Sequence, residues 1–244
     1  YVTVILEVVE EETFDAKVTV YETTTTTSRT LKEISAVRLL PVGNTGDTGA
    51  VALTMTSTGV YETGADKAAY GTVYSIQVKY AASDSWATVP GKTVKVDAQE
   101  QEVDFFEIKL AQDPANAGAT LTLNGDTATA STTTVSKVFL ENTSITALTS
   151  IPSGYSFKGW DTGDKTTLIN HSVTAATTLT AEFEKITVYT VKFDPNGGTL
   201  TLGGTDYTTA QGGDTVKTML AGDTNAFNTG NAIGVHTPGT AYTM

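Results

Sequence analysis

Ile108 to Leu123 reads IKLAQDPANAGATLTL, and Val191 to Leu202 reads VKFDPNGGTLTL. Sliding the chain against itself aligns these stretches, and it aligns SKVFLENTS from Ser136 with VKTMLAGDTN from Val216, at an offset of about 80 residues. In both copies an alternating run breaks at a cluster of Pro, Asn and Gly and resumes as Thr-Leu-Thr-Leu, the pattern of strands joined by turns. Two tandem β units are therefore predicted, over residues 105–185 and 186–244. GYSFKGW (Gly154 to Trp160) and SVTAATTLTAEFE (Ser172 to Glu184) complete the first. At the equivalent place in the second the chain reads GVHTPGTAYTM, so the second unit is expected to be an incomplete copy.

Working outward toward residue 1, the same short-strand texture continues. AVRLLPV, VALTMTS, GTVYSIQVKY, VPGKTVKVDAQ and EVDFFEIKL alternate with polar turns such as NTGDTG, which predicts a β-sandwich over residues 1–104. AKVTVY (Ala16 to Tyr21) is an earlier strand, and the tract Thr23 to Thr27 reads as a loop, an edge strand or an O-glycosylated stretch. GTVYSIQVKYAASDSWATVPGKTVKVDAQEQEVDFFEI resembles the closing half of immunoglobulin-like or prealbumin-like modules of bacterial surface proteins. The resemblance implies Lys17 as the lysine of a Lys–Asn crosslink. The matching asparagine is missing from VDFFEIKL (Val103 to Leu110), so no crosslink is expected.

The composition agrees with strands and excludes several chemistries. Of 244 residues, 49 are threonine, and a β-branched side chain packs better on a pleated sheet than in a helix. The predicted fold class is mainly all-β. With no cysteine there are no disulfides, thiolate metal sites or cysteine nucleophiles. A net charge of -12 lacks the clustered cations that nucleic acid requires. No apolar run reaches the roughly 18 to 20 residues of a membrane-spanning helix, so no membrane insertion is expected. The chain opens on Tyr1 rather than methionine. Together with its acidic, cysteine-free, threonine-rich make-up, this leads to the expectation of a secreted, extracellular protein at the cell surface.

VYTVKFDPNGGTL, with GYSFKGW and TTLTAEFE upstream, resembles the Listeria–Bacteroides repeat, also called the internalin-type B repeat, over roughly residues 105–244. Its units read approximately YTVTFDxNGG, GYxFxGW and TLxAxW. The first copy lengthens the turn to DPANAG and has Phe183 where the family often has tryptophan; the second lacks the GYxFxGW element. The resemblance implies small β-grasp-like modules on secreted bacterial surface proteins, acting as stalk or adhesion units with no catalytic residues. Read from the residues alone, Tyr155, Phe157 and Trp160 are core anchors, with Gly154 and Gly159 permitting turns, and Asp194 to Gly198 closes a hairpin.

Candidates for chemistry are few. His171 and His236 have no second imidazole at ligand spacing and read as structural or surface residues. DTGDK (Asp161 to Lys165), NTGDTG (Asn44 to Gly49) and AGDTN (Ala221 to Asn225) lack the ligand spacing of a calcium loop; no cofactor is expected, and calcium is the alternative they leave open. No catalytic motif is present, so the chain is not expected to be an enzyme. Trp86 is a candidate contact for carbohydrate, with a half-buried turn aromatic as the competing reading. Asn142 and Asn170 occupy N-x-S sequons.

Tyr1 to Val9, YVTVILEVV, places Val2, Val4, Leu6 and Val8 on one face and Ile5 and Val9 on the other. It has no preceding hairpin partner, and the second repeat lacks closing strands. The complementarity predicts donation of Tyr1–Val9 to a neighbouring subunit, giving a homopolymeric surface fibre or stalk. Insertion of that strand into its own domain remains an alternative. A rival expectation is an adhesin or carbohydrate-binding module that contacts a host surface or glycan.

Overall fold

The computed structural model describes residues 12–64, 67–95, 99–129, 135–193, 199–202, 205–208, 215–220 and 233–237. The expected donor strand with Val2, Val4, Leu6 and Val8, the Asp194–Gly198 turn and the Ala221–Asn225 loop lie outside the described residues. The chain divides into two compact units, Tyr1–Pro152 with Phe157–Phe183, and Ser153–Ser156 with Glu184–Met244. Among the described residues every regular element is a strand, so the protein is all-β.

The first part of the larger unit contains β1 (Thr13–Phe14), β2 (Ala16–Thr23), β3 (Thr30–Leu31), β4 (Ala36–Pro41) and β5 (Val51–Ser57). β6 (Val60–Thr63), β7 (Ala68–Ala69), β8 (Tyr74–Lys79) and β9 (Ala87–Val94) follow. Alternation sets their faces: in β8, Tyr74, Ile76 and Val78 are buried while Ser75, Gln77 and Lys79 are half-buried. The same inward rows, Val18 and Val20 of β2, Val37 and Leu39 of β4 and Val89 and Val94 of β9, meet in one core. The sheet that carries them therefore curls around that core. Inside it the Tyr61 hydroxyl donates to the Ile34 carbonyl and accepts from the Ile34 N–H, both at 2.7 Å.

One strand then carries the chain onward. β10 (Gln99–Asp113) has 15 residues, about 50 Å at the usual rise. The expected boundary between residues 104 and 105 falls inside it. β11 (Thr120–Leu123), β12 (Asp126–Thr129), β13 (Val135–Leu140), β14 (Ser144–Thr149), β15 (Tyr155–Trp160), β16 (Leu168–Ser172) and β17 (Thr177–Lys185) follow. β10 pairs parallel with β2 over Gln99–Phe106, parallel with β17 over Ile108–Asp113, and antiparallel with β13 over Phe105–Leu110. The overlaps require β2 and β17 to lie one after the other on one side of β10, with β13 on the opposite side. A single sheet path, β15-β17-β10-β2-β6-β5-β4-β8-β9, thus runs through both lobes, and a separate sheet, β12-β11-β14-β16, completes the second.

The burial phase of β10 changes midway. Val103 and Phe105 are buried in the first core; Ile108 and Leu110 are buried beyond it. Odd and even positions of a strand point to opposite faces, and β10 keeps an unbroken register with β13 across the change. The two cores therefore lie on opposite faces of the shared strand. Leu121, Leu123, Ile145, Ala147, Ile169, Leu179 and Trp160 supply the buried side chains of the second lobe.

The smaller unit contains β18 (Val188–Phe193), β19 (Thr199–Leu202), β20 (Thr205–Thr208), β21 (Thr215–Leu220) and β22 (Ile233–Thr237). Its pairing repeats that of the second lobe. Phe105↔Leu140 through Leu110↔Val135 recurs as Val188↔Leu220 through Phe193↔Thr215, six pairs in each. Thr120↔Thr129 through Leu123↔Asp126 recurs as Thr199↔Thr208 through Leu202↔Thr205. β22 then stands beside β19 as β14 stands beside β11.

Candidate functional site

The lobes are fastened where β10 passes between them. Glu141, just past β13, donates its N–H to the Asp104 carbonyl and accepts the Asp104 N–H on Oε1, each at 2.9 Å. Lys92 of β9 reaches the same oxygen at 2.5 Å and also donates to the Glu102 carbonyl. Arg29 stacks on the Tyr21 ring at 3.5 Å and bonds Asp104 at 2.6 Å and Glu102 at 2.8 Å. The threonine tract is part of this fastening. Thr25 donates its N–H and its hydroxyl to Glu107 Oε2, at 2.9 and 3.1 Å, and the Ser136 hydroxyl donates to Oε1. Burial opposes ionisation of Glu107, but those three donors and the charge of Lys109 outweigh it and pull the carboxyl down to about 2. Of the readings offered for Thr23–Thr27, the tract is the end of β2 and the turn after it, seated on β10.

The sheet margins differ in how they are closed. β9 carries Pro90, a register shift against β8 and the engaged Lys92, three ordinary ways of blunting an edge. β15 is covered at its end by its own turn: the Trp160 N–H donates to the Asp164 carbonyl, Trp160 Nε1 to the Thr166 carbonyl and Lys165 Nζ to the Lys158 carbonyl. Gly159 lies within this strand, not in a turn. Its φ is +138°, and a Cβ there would sit 2.7 Å from the Asp164 carbonyl, so glycine is required by close approach.

β16 is different. It ends its sheet, and among the described residues no strand pairs with its outer side. Thr149 donates to the Thr167 carbonyl and Val173 to the Thr143 carbonyl, which places the hydrogen-bonded pairs with β14 at odd positions of this strand. The backbone groups of Leu168, Asn170 and Ser172 consequently point away from β14. Among the described residues the Leu168 carbonyl accepts from the Thr166 hydroxyl at 2.8 Å. On the outer face Leu168 lies directly across from Leu148, and they are 53% and 40% exposed. Ile151, just past β14, is 55% exposed. On the inner face Ile169 is buried and His171 half-buried.

The other sequence candidates are placed as follows. Trp86 is half-buried; the Arg38 guanidinium lies 4.2 Å and Lys79 Nζ 5.1 Å from its ring centre. Arg38 itself is buried, bonded to Gln77 at 2.8 Å, to the Gly46 carbonyl at 2.9 Å and to Asp47. Asp47 of NTGDTG is thus engaged by a cation, and Asp164 of DTGDK by Thr162 at 2.8 Å. Among the described residues no group of three His, Asp or Glu side chains is arranged to hold a metal. Lys17 forms an exposed ion pair with Glu100 on β10 at 3.0 Å. The side chain of His236 on β22 lies outside the described residues, and Phe157, Trp160 and Phe183 form an aromatic cluster with centroids 5.6 to 6.4 Å apart.

No family model matches the chain. No curated protein matches it either. Among solved structures it is similar to the Bacillus anthracis TIE protein at 13% identity, over 85% of this chain and 43% of that one, with a TM-score of 0.25. It is similar to a streptococcal ancillary pilin at 11% identity, over 85% of this chain and 83% of that one, with a TM-score of 0.25. The chain thus spans less than half the length of the first. At those scores the architecture rests on its own strand pairing. Sequence reasoning missed β16 as an open margin; the signal present was Leu168 at an outward position in TTLINHS.

Proposed function

We propose that this chain is a structural subunit of an extracellular bacterial surface fibre or stalk, assembled head to tail by β-strand complementation. Tyr1–Val9 of one copy adds to a sheet margin of the next. The observation that carries the proposal is the residue-for-residue recurrence of the β10–β13 and β11–β12 pairings in β18–β21 and β19–β20. A β unit with unpaired backbone groups is stabilised by an extended apolar strand from outside, and a head-to-tail contact that does not close on itself builds a filament.

Assignment of the two copies to the internalin-type B repeat belongs to the same proposal, as does a surface location. The supports are the GYSFKGW and DPNGG stretches and a cysteine-free, threonine-rich composition. The lobes fastened along β10 suit a load-bearing role better than a ligand-gated one. The test is negative-stain microscopy of the full chain and of the chain lacking residues 1–9. Fibres with a regular axial repeat from the full chain, reduced to monomers by the deletion, are expected. Fibres unchanged by the deletion would exclude strand donation.

A further inference from the structure

Resting on the load-bearing role proposed above, we infer that β2, β10 and β17 form a mechanical splice, in which tension along the chain passes from β2 to β17 as shear through β10. Tension enters the larger unit ahead of β2 and leaves it after β17, because those strands stand near the two ends of the chain that composes it. Both run parallel to β10, one behind the other on the same side of it. Ala16 stands opposite Gln99 and Glu182 opposite Asp113. The two loaded ends are therefore separated by nearly the whole length of β10, about 45 Å at the usual rise. The line of force runs along the strands and not across them.

Direction decides how a ladder fails. Force along a pair of parallel strands strains its evenly spaced hydrogen bonds together, whereas force across the pair opens them one after another from an end. Forced unfolding is governed by the height of that barrier, not by equilibrium stability. Eight residue pairs join β2 to β10 and six join β10 to β17, so in series the β17 side is the weaker link. The β2 side carries further ties: Thr19 and Lys17 each reach Glu100 at 3.0 Å, and Arg29, past the turn after β2, holds Glu102 and Asp104. Between the two strands the joint is one residue wide. Thr23 ends opposite Phe106 and Thr177 begins opposite Ile108, leaving Glu107, which accepts the N–H and the hydroxyl of Thr25. On the other side of β10, β13 pairs from Phe105 to Leu110 and so spans the joint without a break. A bend or slip of β10 at the gap would have to break that ladder as well.

The absence of cysteine lets handles be placed by pairs of substitutions for single-molecule pulling of the full chain. Glu12, Ala115 and Lys185 are exposed and lie ahead of β2, just past β10 and at the end of β17. Pulling Glu12→Cys against Lys185→Cys loads both ladders in shear. Pulling Ala115→Cys against Lys185→Cys grips β10 and β17 at the same end and unzips the same six pairs. Pulling Glu12→Cys against Ala115→Cys shears the eight β2 pairs and leaves β17 out of the path. The rupture force is expected to be several-fold higher for the first geometry than for the second, and highest for the third. Equal forces in the first two would overturn the splice, and a third geometry no stronger than the first would overturn β17 as its weaker link. Circular dichroism checks that each variant folds, and the exposed neighbours Thr13, Asn116 and Glu184 replace any position that does not tolerate the change. Fibres seen by microscopy together with equal forces would keep the structural-subunit reading and overturn the splice. Shear resistance in a chain that forms no fibres would keep the splice and overturn that reading.

Discussion

Glu107→Gln tests whether the threonine tract is seated on β10 by a charge. The Glu107 side chain is 14% exposed and ionises at about 2, against 4.5 for an ordinary glutamate. A carboxyl held that far down stabilises the folded protein by roughly 3 kcal/mol once both states are ionised. The folded value lies below the unfolded one, so the contribution is complete above about pH 4.5, declines as pH falls, and is gone below about pH 2. Glutamine keeps the shape and can still accept from Thr25, but it has no charge to lose. Urea unfolding midpoints of both proteins, measured from neutral pH down to about pH 2, should therefore converge. The variant should be less stable by about 2 to 3 kcal/mol at neutral pH and equal to the parent at the acid end. Parallel curves over the whole range would refute the assignment of the low carboxyl to Glu107.

Tyr61→Phe should cost about 1 to 3 kcal/mol in urea unfolding, because it leaves the buried N–H and carbonyl of Ile34 without their shared partner. Gly159→Ala must displace the Asp164 carbonyl from 2.7 Å and adopt a φ of +138°; a loss of roughly 1 to 3 kcal/mol and a red shift of Trp160 emission are expected. Trp86→Ala removes the ring against which Arg38 and Lys79 lie, and should lower stability by about 1 kcal/mol.

Strand identity was legible in the sequence, and strand partnership was not. VALTMTS and AVRLLP emerge as β5 and β4 because alternation and turn residues are local signals. The repeat was legible too, since like sequences at a fixed offset fold to the same pairing register. Which strand lies beside β10 is a non-local matter. β2 pairs with it from more than 80 residues away and β17 from about 70, and no residue in either names its neighbour. The same limit explains Trp86, whose cover comes from Arg38 on β4 and Lys79 on β8. β16 was missed because an open margin is defined by what does not pair with it, which composition cannot express.

The phase change in β10 was printed in the sequence as VDFFEIKL, where apolar residues fall at 103 and 105 and then at 106, 108 and 110. A strand buried on one face would keep one parity, so a doublet at Phe105–Phe106 marks where the chain passes from one core to another. The passage makes a sharp prediction. Inserting one alanine between Phe106 and Glu107 turns Ile108 and Leu110 to the wrong face, forfeiting about 1.5 to 3 kcal/mol for each buried side chain. Inserting two alanines restores parity, and the strand can slide by one period against β13 and β17. The two tryptophans report separately, Trp86 in the first lobe and Trp160, 2% exposed, in the second. In a Trp86→Phe background the single insertion should shift Trp160 emission to the red and lower the unfolding midpoint well below that of the double insertion. Equal damage from one and two residues would mean that β10 does not serve two cores on its two faces. In that case the lobes would not be coupled through it, and a stalk built on this chain would have to transmit load by another path.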